Sequence, residues 1–71
     1  MTGVQKTRSY AKALDSDRLI DALAYFAGKT SDQGCRAVYS ILAAEACDRA
    51  GLDPREVAAS GDVVGTISAA L

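Results

Sequence analysis

Seventy-one residues, 49% of them apolar, make one domain with room for only a modest core. Histidine is absent and cysteine occurs only at Cys35 and Cys47, so no zinc-ligand spacing can be assembled and no metal or cofactor is expected. The net charge of −1 selects no partner class, and no apolar run approaches the ~18 residues that a membrane span needs.

Residues 1–14 form a basic N-terminal arm, with Lys6, Arg8 and Lys12 and no acid. Residues 15–71, read as a single helical domain, carry five basic residues (Arg18, Lys29, Arg36, Arg49 and Arg55) against nine acidic ones, a balance of −4. Within the arm, Val4, Thr7, Ala11 and Leu14 share one side of a helical wheel. A short helix is one reading of this stretch and a loose terminus is the other.

Residues 15–28 read as a helix. Asp15 or Ser16 caps it, Leu14 and Leu19 occupy the staple positions, and Gly28 ends it. Leu19, Ile20, Leu23, Ala24, Phe26 and Ala27 fall on its apolar side, with Asp17, Arg18, Asp21 and Tyr25 on the other.

Residues 31–50 read as a longer helix. Thr30 with Gln33 fits a capping box, Ser31 is the alternative cap, and Gly51 stops it. Cys35, Val38, Tyr39, Ile41, Leu42 and Ala46 share one face, while Arg36, Ser40 and Cys47 point away. Twelve positions along one helix separate the cysteines by roughly 18 Å. A disulfide needs Cα atoms within about 7 Å, so two reduced thiols are expected.

Residues 53–59 form a short helix with Asp53 as cap, Pro54 at its first position, Glu56 closing the box, and Leu52 and Val57 as the staple. Residues 62–71 put Val63, Val64, Ile67 and Leu71 on one stripe. The 3–4 spacing favours helix, although the β-branched run admits a strand. The fold class is all-α, a small bundle of three to five short helices around an Ala-rich core. Alanine buries little area per residue, so association with a second copy is a reasonable way to gain burial.

Chemistry has little to work with. No histidine can act as a base near pH 7, and the glycines are scattered rather than gathered into a phosphate loop. Asp17 and Asp21 lie four apart, but on the polar side of their helix, where a solvated pair is the simple reading. Cys47 has no cation at i±3 or i±4 to activate it. No enzyme is expected.

Three surfaces remain. Tyr25, beside Asp17, Arg18 and Asp21, is an aromatic placed away from the core, as hot-spot residues are. Glu45 and Arg49 are four apart in the favourable order at the edge of an apolar face, either a rim pair or a register pair between helices. Ala46-Cys47-Asp48-Arg49-Ala50-Gly51-Leu52-Asp53-Pro54-Arg55-Glu56-Val57 resembles the centre of a helix-turn-helix DNA-binding unit, with Ala50-Gly51-Leu52 as the turn and Val57 six residues past the glycine. That resemblance implies a recognition helix from Asp53 onward, but Ser60 stands where its next apolar residue belongs and Gly61 cuts it short.

The sequence thus leads to a small regulator or inhibitor that binds another protein, with a nucleic-acid-handling protein as a fitting basic partner. The candidate interface is Asp17, Arg18, Asp21, Tyr25, Glu45 and Arg49. The alternative is a DNA-binding regulator using residues 46–60, with Lys6, Arg8, Tyr10, Lys12 and Arg55 as contacts. A structural or assembly subunit is the third reading. The polar N-terminus lacks the apolar stretch of a secretory leader, so a cytoplasmic protein is expected, and alanine abundance with scarce lysine suggests a bacterial or phage gene.

Overall fold

Helix boundaries in this chain are set by aspartates. The computed structural model describes residues 3–71 as five helices: α1 (Gly3–Ala13), α2 (Ser16–Ala27), α3 (Gln33–Ala50), α4 (Pro54–Ala59) and α5 (Val63–Ala70). Four of them open on an Asp N-cap. The Asp15 carboxylate accepts the Arg18 N–H at 2.8 Å, Asp32 accepts Cys35 N–H at 2.9 Å, Asp53 accepts Arg55 N–H at 2.9 Å and Asp62 accepts Gly65 N–H at 3.1 Å. Each satisfies one of the donors that a helix start leaves open and places negative charge at the positive end of the dipole.

The cap of α3 corrects the sequence reading. Neither Thr30 nor Ser31 starts the helix. Residues 29–32 form turns, with the Asp32 N–H donating to the Lys29 carbonyl, and α3 begins at Gln33. The Cys35 N–H holds the Asp32 carboxyl below its usual pKa. The last segment is helix rather than strand, because Asp62 nucleates it. A Cβ at position 65 would collide with the Asp62 carboxylate, so glycine there makes room for the cap. The basic arm is also helical over Gly3–Ala13, as α1.

The stop of α3 is a Schellman arrangement. Gly51 takes the left-handed conformation at φ 71°, its N–H donates to the Asp48 carbonyl, and the Leu52 N–H donates to the Cys47 carbonyl at 2.9 Å. Asp53 and Pro54 then start α4 at once. Ser60 closes α4. Its hydroxyl donates to the Val57 carbonyl at 2.6 Å and lies 3.2 Å from the Thr66 hydroxyl, joining α4 to α5.

α3 is the hub. It packs against α1, α2, α4 and α5, while α5 also contacts α2 and α4. The buried side chains among the described residues are Ala11, Leu19, Leu23, Leu42, Ala46, Cys47, Val57 and Ile67, drawn from all five helices. The Cα radius of gyration, 11.2 Å, matches the roughly 11 Å expected for a packed chain of this length, so α1 lies on the body.

Three placements differ from the helical wheel. Cys47, expected to face solvent, is buried, because a helix enclosed by four neighbours has more than one inner face. Ala24 is exposed while Ala22 is half-buried, so the apolar face of α2 is centred on Leu19, Leu23 and Phe26. Leu71 is exposed, beyond the last turn of α5. On α1, Ala11 is buried and Thr7 is half-buried, Leu14 just past its end is half-buried, as the arm pattern requires, and the side chain of Val4 lies outside the described residues.

Leu42 is the one large residue of α3 that is wholly covered. Leu42→Ala is expected to cost about 2–5 kcal/mol, a large share of the roughly 4–10 kcal/mol available to a chain of this size. A urea melt followed by circular dichroism measures it.

Candidate functional site

α2 presents a polar stripe at intervals of four: Asp17, Asp21 and Tyr25, all exposed. The helical repeat stacks them along one side, away from the buried Leu19 and Leu23. Arg18 flanks the stripe, and its Nε lies 4.0 Å from the Asp15 carboxylate with both groups largely in water, a pair that contributes little to stability. Tyr25 is 61% exposed yet oriented. The Lys29 ammonium stands 5.1 Å from its ring centroid, and the ring meets that of half-buried Phe26 edge-on at 5.1 Å and 88°.

Glu45 and Arg49 do something different. Arg49 Nε donates to Glu45 Oε2 at 3.2 Å, and the two side chains are only 22% and 15% exposed. Arg49 Nη2 then donates to the Ala11 carbonyl at 3.1 Å and the Lys12 carbonyl at 3.2 Å. Both carbonyls lie in the last turn of α1, where a helix runs out of its own donors, and the Ala11 carbonyl also accepts the Leu14 N–H at 3.3 Å. The pair therefore joins two helices of the same chain, α3 to the C-terminal end of α1, rather than standing on the surface with Tyr25.

The basic residues divide between two elements. Lys6, Arg8, Tyr10 and Lys12 are exposed on α1, with Tyr10 at 58%. Arg55 is exposed on α4 beside Asp53 and Glu56. An open groove of about 410 Å³ runs between α1 and α3, with Arg8 and Lys12 on one wall and Ser40, Ala44, Glu45 and Asp48 on the other. The α4 residues line a separate groove on the far flank of Ser40 and Ala44, so the structure does not gather Arg55 with the α1 cations. The turn of the helix-turn-helix resemblance is present at Gly51, and the helix after it has six residues.

The Asp caps were only partly visible in the sequence, and they change the meaning of the acidic body. Four of its nine acids, Asp15, Asp32, Asp53 and Asp62, are engaged with backbone N–H groups. Asp17 and Asp21 are the acids left beside Tyr25. Among the described residues no group of three or more His, Cys, Asp or Glu gathers to hold a metal, and no helix is long and apolar enough to cross a membrane. No family model, curated protein or solved structure matches this chain.

Both cysteines are free thiols. Burial, and then the charge of Asp53, push the Cys47 thiol pKa up, whereas Cys35 is half-buried near the start of α3. Under native conditions near pH 8, iodoacetamide is expected to modify Cys35 first, with Cys47 reacting at the rate of global unfolding. Peptide mass spectrometry over time separates the two.

Arg49→Met keeps the stem and removes the clamp. It is expected to destabilise the fold by about 1–3 kcal/mol. Hydrogen-exchange protection should fall first across α1, and an even loss over all five helices would show that Arg49 does not hold α1 in particular.

Proposed function

We propose that this chain is a small, non-enzymatic helical binding module, a regulator or inhibitor that docks onto a basic protein partner through the outer face of α2. The observation that carries this reading is Tyr25, an aromatic ring more than half exposed and yet held in place by Lys29 and Phe26. A ring with two torsions loses little entropy on binding and brings a large apolar area with a polar tip, which is why tyrosine recurs at hot spots.

Asp21 and Asp17 lie one and two turns before it on the same stripe and are free of cap duty. An arginine- or lysine-bearing segment laid along this stripe would pair its charges with both carboxylates, and a further cation could take the place of Lys29 over the ring. A nucleic-acid-handling protein is one class that offers such a segment. The helix-turn-helix alternative would use residues 46–60, where α4 presents Arg55 between two acids.

An NMR titration of the full chain with an arginine-rich peptide tests the reading. Amide shifts are expected to concentrate between Asp17 and Tyr25, and Tyr25→Ala is expected to weaken binding about tenfold or more. Shifts centred elsewhere, or affinity unchanged in the Asp17→Ala, Asp21→Ala, Tyr25→Ala triple variant, would remove the assignment. The same titration with a DNA duplex at two salt concentrations addresses the alternative, since phosphate-driven binding weakens steeply with salt.

A further inference from the structure

Four exposed residues of α3 recur at intervals of four: Arg36, Ser40, Ala44 and Asp48. That spacing lays them in one ridge along the outer side of the hub helix. The ridge carries a cation at one end, an anion at the other and two small side chains between. Grooves run along both flanks, and Ser40 and Ala44 help to line each. The groove towards α4, about 240 Å³, is apolar, with Tyr39, Ala43 and Cys47 from α3 and Pro54 and Ala58 from α4.

We infer that a second copy of this chain docks on this surface, α3 antiparallel to α3, about a two-fold axis midway between Ser40 and Ala44. The charge order selects that occupant. Across such an axis the ridge reads backwards on the partner, so Arg36 meets the partner's Asp48 and Asp48 meets the partner's Arg36. Ser40 and the partner's Ala44 face each other at the centre. A parallel pairing would set Arg36 on Arg36 and Asp48 on Asp48, which like charges oppose. The pattern is therefore complementary to itself in one orientation, as an isologous interface requires.

The sterics agree. Small side chains at the crossing point let two helix axes approach to about 8 Å. The charged ends lie six residues from the axis, roughly 9 Å along each helix, close enough for an arginine side chain to cover the spread of a shallow crossing. The partner's ridge then enters the groove towards α4, ridge into groove, and covers the half-buried Tyr39 and the lip over Cys47. Such burial adds to a monomer core that, among the described residues, has eight buried side chains, several of them small. The surface lies on α3, separate from the α2 stripe, so either assignment can fail without the other.

Sedimentation equilibrium of the full chain from micromolar to millimolar concentration tests the proposal. The mass is expected to rise from 7.4 kDa towards twice that value. Arg36→Asp and Asp48→Arg each place two like-charged pairs across the axis and should each weaken the dimer about tenfold or more. The double variant R36D/D48R exchanges the two ends and should restore it. Ala44→Glu, with two like charges beside the axis, is a further probe at an exposed site. Circular dichroism confirms that each variant is folded. A chain that stays monomeric throughout, a dimer indifferent to the reversals, or a double variant as weak as the single ones would overturn the proposal.

Discussion

A helix that must serve four neighbours at once cannot be built like an ordinary amphipathic one, and this constraint on α3 organises the rest of the chain. Only Leu42 among its large residues is fully enclosed, and its other covered positions are Ala46 and Cys47, small enough for neighbours to come close. The neighbours in turn bring the large side chains that α3 lacks: Leu19 and Leu23 from α2, Val57 from α4 and Ile67 from α5. The hub is thus a core of intermeshed large and small residues, with the ridge of Arg36, Ser40, Ala44 and Asp48 among the positions left in water.

The second organising element is electrostatic. Helices this short are marginal on their own, and each start leaves backbone donors open while each end leaves carbonyl acceptors open. Aspartate caps at four starts and the Arg49 clamp at the end of α1 meet part of that need. Much of the charge in the sequence is therefore directed at backbone rather than at other molecules. That narrows the acids with an outward role on α2 to Asp17 and Asp21, and it turns Glu45 and Arg49 into an internal joint.

The fold class was legible because period-3.6 patterning and cap residues are local signals. Asp15, the Asp53-Pro54 start and the Gly51 stop could be read from a few residues each. What escaped the sequence depended on partners far away along the chain. The wheel put Cys47 in solvent because a wheel assumes one buried face, and α3 has several. Asp32 does not stand out as a cap in the sequence because the two hydroxyl residues just before it, Thr30 and Ser31, also fit one. The Glu45–Arg49 spacing was readable as a pair, but nothing near Arg49 signals that its guanidinium reaches carbonyls 37 and 38 residues earlier. Of the candidate site, the exposure of Asp17, Arg18, Asp21 and Tyr25 followed from periodicity, while the stacking of Lys29 over the ring needed coordinates.

That long reach has a consequence for how the molecule is made. A ribosome delivers α1 first, but the side chain that ties down its end is added 38 residues after Ala11. At roughly 5–20 residues per second the wait is about 2–8 s. Until then α1 has no clamp, and before Gln33 is added it has none of the helix it lies on. α1, made before the helix it lies on, is thus among the last to be tied down, and a nascent chain arrested before Arg49 would leave its end unclamped.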